Sequence, residues 1–202
     1  MKKVLKEWFL KAPWGKIALI SWGDPNGEPV LLVHGRQDSV STFIPLLELL
    51  PDTYHYVAMD IPGNGLSDPL PIGLKLTRIF PVVVIEMVAE HMNWREFIYI
   101  AHSMGTELGL FYNAVYPGNL KRCIYLDGAP AIQRLLMTDY AAYYKTFYLD
   151  YYDNYDSINT DDRVYSRRDA VRAVMKARSL TSDQAELILT RNLKKIGDDK
   201  YK

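Results

Sequence analysis

Short apolar runs of strand length alternate with stretches of helical periodicity over about the first 130 residues. The runs EWFLKAP and KIALISWG surround Trp14 and Gly15, a pattern that predicts a hairpin. PVLLVHG is continuously apolar, as expected of a strand buried on both faces, and YHYVAMD, EFIYIAH and KRCIYLDG predict three further strands. Helices are predicted between them, in STFIPLLELLP, in LTRIFPVVVIEMVAEHMNW with a stripe at positions 80, 83, 84, 87, 88 and 91, and in ELGLFYNAVYP. Ser41 or Thr42 is the expected N-cap of the first helix.

This alternation of strands and helices predicts an α/β fold, in which a mostly parallel sheet carries helices on both faces. The pattern is confined to residues 1–130. The remaining residues, 131–202, differ in composition and are expected to be helical without any strand.

The second region begins with a tyrosine-rich segment. Eight tyrosines lie between residues 139 and 165. A helix is predicted there, with an aromatic stripe formed by Tyr140, Tyr144, Phe147 and Tyr151. We interpret this segment as a structural helix with its connecting loop, the alternative being a set of ligand-binding aromatic residues.

Two further helices are predicted from capping signatures. Ser166 with Asp169 marks the start of one helix, and Thr181 with Gln184 marks the start of the next. Gly197 is the expected stop of the second helix.

Composition excludes several classes of function. The net charge of zero gives no electrostatic reason for binding nucleic acid or an anionic membrane. Cys123 is the only cysteine, so neither a disulfide framework nor a cysteine zinc site is expected, and its thiol fits a reducing compartment. No run approaches the ~18 apolar residues of a membrane span, and Lys6, Glu7 and Lys11 interrupt any signal-peptide core. We expect a cytoplasmic protein with no cofactor and no metal.

The pentapeptide Ala101 to Gly105 carries the strongest candidate chemistry. Ser103 lies between small residues where a predicted strand meets a predicted helix, which is the setting of a nucleophile elbow. Small residues are needed two positions before and after the serine because larger side chains would collide with neighbouring backbone in so sharp a turn. The helix N-terminus would favour the negative charge that develops during acyl transfer. The alternative is a serine-containing turn without chemistry.

The loop after the PVLLV strand supplies candidate partners for Ser103. Gly35 would let this loop run close to the serine, so that the backbone N–H groups of Arg36 and Met104 hold an oxyanion together. His34 has two interpretations, a proton-transfer role or a structural histidine bonded inside the loop, and we favour the second. A further loop, DIPGNGLSD, has Gly63 and Gly65 for a tight turn beside the site but lacks the lysine and the helix of a phosphate-binding loop.

The motifs LLVHGRQDS, AMDIPGNGLSD and IAHSMGTELG occur in the order and spacing of the α/β-hydrolase fold. Within that fold, the chain most resembles the serine hydrolase-like (kraken-like) family, and YLDGAP and YSRRDAVRAVMKARSLTSDQAELILTRN extend the likeness into a helical cap. The resemblance implies a hydrolase of small ester or acyl substrates, with Ser103 as nucleophile, the Arg36 and Met104 amides as oxyanion hole, and His34, Gly35 and Gly105 as supporting loop residues. It also implies a perinuclear or peroxisomal association as an alternative location. These relatives often carry an aromatic residue where this chain has Arg36.

The resemblance divides the chain into residues 1–130, the N-terminal part of the hydrolase core, and residues 131–202, an incomplete cap. In this fold, the catalytic acid and then the histidine follow the serine, but none of the four histidines, His34, His55, His91 and His102, follows Ser103. Asp127 after the CIYL strand is a candidate acid, although a loop-capping aspartate is the interpretation we favour.

We therefore expect a hydrolase truncated within its cap and nearly inactive as this chain. The alternative is a truncated isoform or pseudoenzyme with a binding or regulatory role. Truncation would leave the CIYL strand as an exposed edge and would expose apolar stripes such as Val171, Val174 and Met175, so self-association is also expected.

Overall fold

The computed structural model describes residues 6–128, 137–156 and 163–202. A six-stranded sheet dominates the first of these ranges. Its strands are β1 (Lys6–Ala12), β2 (Gly15–Gly23), β3 (Glu28–Val33), β4 (Tyr54–Met59), β5 (Phe97–His102) and β6 (Leu120–Leu126).

The strand order is β1-β2-β4-β3-β5-β6. β1 and β2 form the predicted hairpin, in which Ala12 pairs with Gly15, and β2 is antiparallel to β4. The pairs β4–β3, β3–β5 and β5–β6 are parallel. The predicted α/β class is confirmed. Because Val33 pairs with Ala101, the loop after β3 lies beside the turn after β5.

Helices cover both faces of the sheet. Over the first range they are a 3₁₀ turn (Val40–Phe43), α1 (Ile44–Leu47), α2 (Pro81–His91) and α3 (Met104–Val115). Val84, Val88 and Tyr112 from α2 and α3 pack on one face, and Val40 and Phe43 on the other.

Two helix details differ from the sequence predictions. Ser41 and Thr42 are not N-caps because they lie inside the 3₁₀ turn, where the buried Ser41 hydroxyl bonds that of Ser39 at 2.6 Å. α2 begins at Pro81, a favourable first residue because proline has no N–H to leave unpaired. Its buried stripe includes Val84 and Val88 as predicted, whereas Val83 is 44% exposed.

The described residues after 136 form helices and one pair of short strands. These are α4 (Met137–Tyr144), a π-helical segment (Lys145–Leu149), α5 (Asp150–Asp153), α6 (Arg167–Arg178), α7 (Ser182–Asn192), β7 (Lys195–Gly197) and β8 (Lys200–Tyr201). Both predicted caps are present: the Ser166 hydroxyl accepts from Asp169 N–H, and Thr181 with Gln184 forms a complete capping box.

The prediction that this region contains no strand is wrong. α7 ends at Asn192, before Gly197, and β7 pairs antiparallel with β8. Asp199 between the two strands has φ 43°, a left-handed conformation that Asn and Asp tolerate in tight turns. Tyr201 of β8 also bridges to Tyr165, which ties the hairpin to the start of α6.

α6 and α7 pack against each other. Val171 is 8% exposed and joins Ala185 and Leu189 in a small apolar cluster, with Val174 and Met175 at its margin. The expectation that this stripe is exposed is therefore wrong, because α7 covers it. β6, by contrast, is the last strand of the described sheet, and Ile124 is 49% exposed.

A buried ion pair joins α7 to the first part of the chain. The Arg191 side chain is 2% exposed and donates to the fully buried Asp60 carboxylate at 2.9 and 3.2 Å. Glu7 of β1 accepts from the same guanidinium. Among the parts of the chain that the structure describes, no helix combines the length and apolar character needed to cross a membrane.

Candidate active site

Ser103 occupies the sharp turn between β5 and α3. Its backbone has φ 50° and ψ −120°, a conformation that costs a non-glycine residue free energy and persists only where surrounding contacts impose it. Those contacts are present: the Ser103 N–H donates to Leu126 O at 3.0 Å, and the backbone N–H and hydroxyl of Thr106 both donate to Ser103 O. The strain and its local support are those expected of a nucleophile elbow.

Close packing explains the small residues around the turn. A Cβ added to Gly105 would lie 2.4 Å from Val33 O, and a Cβ added to Gly35 would lie 3.0 Å from Ser103 Cβ. Ala101 is completely buried. The close approach of the Gly35 loop to the serine is therefore as predicted.

Arg36 and Met104 both border a cavity that Ser103 also borders. Neither backbone N–H donates a hydrogen bond to any residue in the described ranges. Gln37, immediately after Arg36, has φ 52°, which marks a turn at this point. The two amides are thus available to an oxyanion, and their assignment to that role stays a prediction.

His34 has no free ring nitrogen. Nδ1 lies 2.7 Å from Gly35 O, and Nε2 accepts the Ile61 N–H at 2.9 Å, so the neutral ring with its proton on Nδ1 satisfies both bonds. Burial lowers the pKa of His34 below 6.5. The geometry supports the structural interpretation of this histidine over a proton-transfer role.

None of the other three histidines forms a hydrogen bond with Ser103 in the described ranges. His91 accepts a hydrogen bond from Trp8, and His55 packs edge-on against Trp94. His102 precedes Ser103, and its Nδ1 lies 3.9 Å from Asp38 Oδ2 without a hydrogen bond to a described residue.

Asp127 follows β6 with φ 48° and is exposed. It makes no hydrogen bond or ion pair with the described residues, and it is not among those that border the cavity. No contact of Asp127 with the described residues supports either the catalytic-acid role or the loop-capping role, so both stay predictions.

The DIPGNGLSD loop forms a second wall of the cavity, through Pro62, Gly63 and Asn64. Its shape is organised by Asp60, whose carboxylate accepts from the N–H groups of Val40 and Leu66 at 2.7 and 2.9 Å. This hydrogen bonding, together with the Arg191 ion pair, holds the loop beside Ser103.

The cavity has a volume of about 960 Å³ and is bordered by both regions of the chain. One side is the Ser103 turn and the Arg36 loop. The other is an aromatic stripe with a spacing of four residues, consisting of Tyr143, Phe147, Tyr151 and Tyr155. Tyr140 and Tyr144, predicted for such a stripe, instead are exposed by 46% and 43% and pack against each other.

Two of the four residues predicted for the aromatic stripe, Phe147 and Tyr151, thus border the cavity, whereas the charged residues beside them were not predicted. Lys75, Arg78 and Glu107 all border the cavity. Glu107 stands one helical turn after Ser103, a spacing that puts both side chains on the same face of α3. The four-residue aromatic spacing was visible in the sequence, but which of several overlapping tyrosine registers faces inward depends on the packing. No group of three or more His, Cys, Asp or Glu side chains in the described ranges is placed to hold a metal ion.

Comparison with known proteins agrees with this geometry. Residues 28–166 match the family described as alpha/beta hydrolase fold. The serine hydrolase-like protein of Danio rerio is 31% identical over 201 residues, which are 97% of this chain and 60% of that protein. Serine hydrolase-like protein 2 of Homo sapiens is 29% identical and is covered to 62%. The chain thus spans less than two thirds of the length of these relatives.

Solved structures show the same fold. A hypothetical protein from Pseudomonas aeruginosa PAO1 superposes with a TM-score of 0.86 at 25% identity, over 98% of this chain and 69% of its own. A thioesterase domain from the curacin biosynthetic pathway superposes with a TM-score of 0.75 at 22% identity, over 97% and 70%. The resemblance inferred from the three motifs is confirmed.

Proposed function

Because the chain belongs to the α/β-hydrolase fold family, we propose that it is a serine hydrolase of ester or acyl substrates in which Ser103 is the nucleophile. The observation that carries the proposal is the strained Ser103 turn, which borders the cavity together with Arg36 and Met104, two residues whose backbone N–H groups have no hydrogen-bond partner among the described residues. Attack by the Ser103 hydroxyl on a carbonyl carbon would place the developing negative charge near the amides of Arg36 and Met104.

The 202-residue chain by itself is proposed to turn over slowly. It contains no histidine after Ser103, and both ring nitrogens of His34 are engaged elsewhere. Loss of the general base in a serine hydrolase typically lowers turnover by ~10⁶-fold, or about 8 kcal/mol in the barrier. We expect hydrolysis of nitrophenyl acetate barely above background and equal to that of Ser103→Ala. Robust turnover abolished by Ser103→Ala would contradict the missing-base argument and would make His34 the next residue to test.

The nucleophile assignment can be tested without a base. A cysteine thiol ionises far more readily than a serine hydroxyl, so Ser103→Cys needs less help in attacking an activated ester. Cys123 is exposed and serves as the control thiol in the same molecule. We expect the introduced thiol to be acylated by nitrophenyl acetate at least about tenfold faster than Cys123. The reason is that hydrogen bonds from an oxyanion hole stabilise the negative charge that develops in the transition state. Peptide mass spectrometry of timed samples gives both rates, and equal rates would refute the assignment.

One observation favours a second candidate function, a binding protein that keeps the cavity without the reaction. That observation is that none of the four histidines, all of which lie in the described ranges, forms a hydrogen bond with Ser103. The binding protein would be favoured over the hydrolase if the Ser103→Cys thiol is acylated slowly by nitrophenyl acetate while the chain still binds small molecules.

We also propose a cytoplasmic location, which is supported by the exposed free thiol of Cys123. Imaging of the tagged protein in cells tests this, and localisation to an oxidising compartment would contradict it.

A further inference from the structure

The cavity beside Ser103 is more positively charged than the molecule as a whole. The chain has a net charge of zero. Of the charged residues that border the cavity within the described ranges, three are basic and one is acidic: Arg36, Lys75, Arg78 and Glu107. A concave site of one sign concentrates small ligands of the opposite sign.

The single acidic side chain does not neutralise the others. Glu107 forms an ion pair with Arg78, so its negative charge compensates the positive charge of Arg78. Two basic groups, on Lys75 and Arg36, are then left without a carboxylate partner among the described residues.

Lys75 is held against the aromatic wall. Its ammonium donates to Phe147 O, and it lies 3.8 Å from the centre of the Phe147 ring and 4.5 Å from that of Tyr151. Phe147 lies in the π-helical segment Lys145–Leu149. These contacts are with neutral groups, so the positive charge of Lys75 remains.

Arg36 has fewer contacts within the described residues than Lys75. Its side chain is exposed, forms no ion pair or hydrogen bond in the described ranges, and borders the cavity together with Ser103. A guanidinium presents several N–H donors in one plane and binds carboxylates or phosphates through two of them at once. It is therefore suited to hold an anionic group of a ligand whose reacting carbonyl lies at Ser103.

The opposite wall suits an apolar ligand body. Tyr143 and Phe147 are stacked, with ring centres 5.1 Å apart, and Tyr151 continues the same face. Such faces bury apolar chains and rings at low entropic cost, because aromatic side chains have few rotatable bonds.

We infer that the substrates of this site are esters or thioesters with an apolar body and one anionic group, carboxylate or phosphate, which Arg36 recognises. The inference rests on the proposed function for the identity of the reacting bond, but the recognition itself does not require catalysis. It can therefore be tested by binding alone.

The experiment compares phenylhexanoate, phenylpentyl phosphate and the neutral phenylhexanamide by calorimetry or ligand-observed NMR on the 202-residue chain. We expect the better anion to bind about three- to tenfold more tightly than the amide, the range of one partly exposed charge-assisted contact. Arg36→Gln should remove most of this preference. Raising the salt from about 20 to about 300 mM should also reduce it, because salt screens exposed charges. Whichever anion binds more tightly identifies the preferred group.

Arg172→Gln is the matched control, because Arg172 is exposed on α6 and does not border the cavity. This variant makes the same change in net charge and should keep the preference. Equal affinity for the amide and the anions, an unchanged preference in Arg36→Gln, or no binding of any probe would overturn the inference. If the anion preference is absent while the introduced thiol of Ser103→Cys reacts rapidly, the inference fails and the proposed function stands. If the anion preference is present while the thiol of Ser103→Cys reacts no faster than Cys123, anion recognition stands and the assignment of Ser103 as nucleophile fails.

Discussion

Loss of the buried ion pair between Arg191 and Asp60 should lower the free energy of unfolding strongly. Asp60 is completely buried, and its carboxylate accepts four hydrogen bonds, two of them from the Arg191 guanidinium and two from backbone N–H groups. Arg191→Gln removes the compensating charge and both guanidinium bonds. It therefore leaves a buried carboxylate with only its backbone donors.

The magnitude follows from the cost of an uncompensated buried charge. Removing one partner of a buried pair typically costs about 3–5 kcal/mol in the free energy of unfolding. Because the N–H groups of Val40 and Leu66 still donate to the Asp60 carboxylate, we expect a loss at the lower end of this range, about 3–4 kcal/mol.

The matched control is Arg167→Gln. Arg167 of α6 pairs with Glu186 of α7, but the two side chains are 42% and 40% exposed. Exposed pairs contribute about 0–1 kcal/mol. Urea unfolding followed by far-ultraviolet circular dichroism and by tryptophan fluorescence, for which the buried Trp22 is a reporter, measures both variants. A loss below about 1 kcal/mol for Arg191→Gln, or equal losses for the two variants, would refute this reasoning.

Three further predictions follow from the geometry. Gly105→Ala should destabilise the fold by about 1–3 kcal/mol, as overpacking does, because the new methyl group meets the backbone oxygen of Val33; urea unfolding measures the loss. His34 should remain neutral, with its proton on Nδ1, down to a pH below its usual pKa near 6.5, as ring nitrogen NMR shifts will show. Since the unfolded chain then binds more protons than the native one, the stability that His34 confers should be present above about pH 6.5 and be lost as the pH falls. The exposed β6 edge should promote association of the 202-residue chain, and Ile124→Lys should reduce the associated fraction in light scattering.

Each of these predictions has an outcome that contradicts it. Native stability in Gly105→Ala would mean that α3 can move away from β3. A His34 ring that protonates at or above pH 6.5 would mean that its buried hydrogen bonds are not maintained in solution. A monodisperse native chain at high concentration would show that the β6 edge does not recruit a second copy.

The core of the fold was predictable because its signals are local. The β1–β2 hairpin, β3 and β5 follow from apolar runs and turn residues, and the caps at Ser166 and Thr181 follow from side chains three residues apart. The β7–β8 hairpin was missed because its strands have three and two residues. Elements so short depend on pairing with each other and with Tyr165.

The candidate site was predictable only on one side. Ser103, Gly35 and Gly105 are marked by steric needs that act between neighbouring residues, and the structure brings them together. The other side, with Lys75 and Phe147, depends on contacts between segments 72 residues apart. No local pattern in the sequence indicates that these two segments meet, so neither the position of the aromatic wall at the cavity nor the charge beside it could be predicted.

The ties between the two regions also bear on the order in which the molecule folds. Arg178 of α6 donates to Asp38 Oδ1 across 140 residues of chain, and Arg191 reaches Asp60 across 131. Contacts of such long sequence separation close large loops, and proteins that depend on them fold slowly. During synthesis, the hairpin of β1 and β2 is free to form early, while the loops that carry Arg36 and Asp60 must wait for the last helices. The cavity is therefore expected to be among the last features to form, and amide exchange in these loops should become protected after that of the sheet.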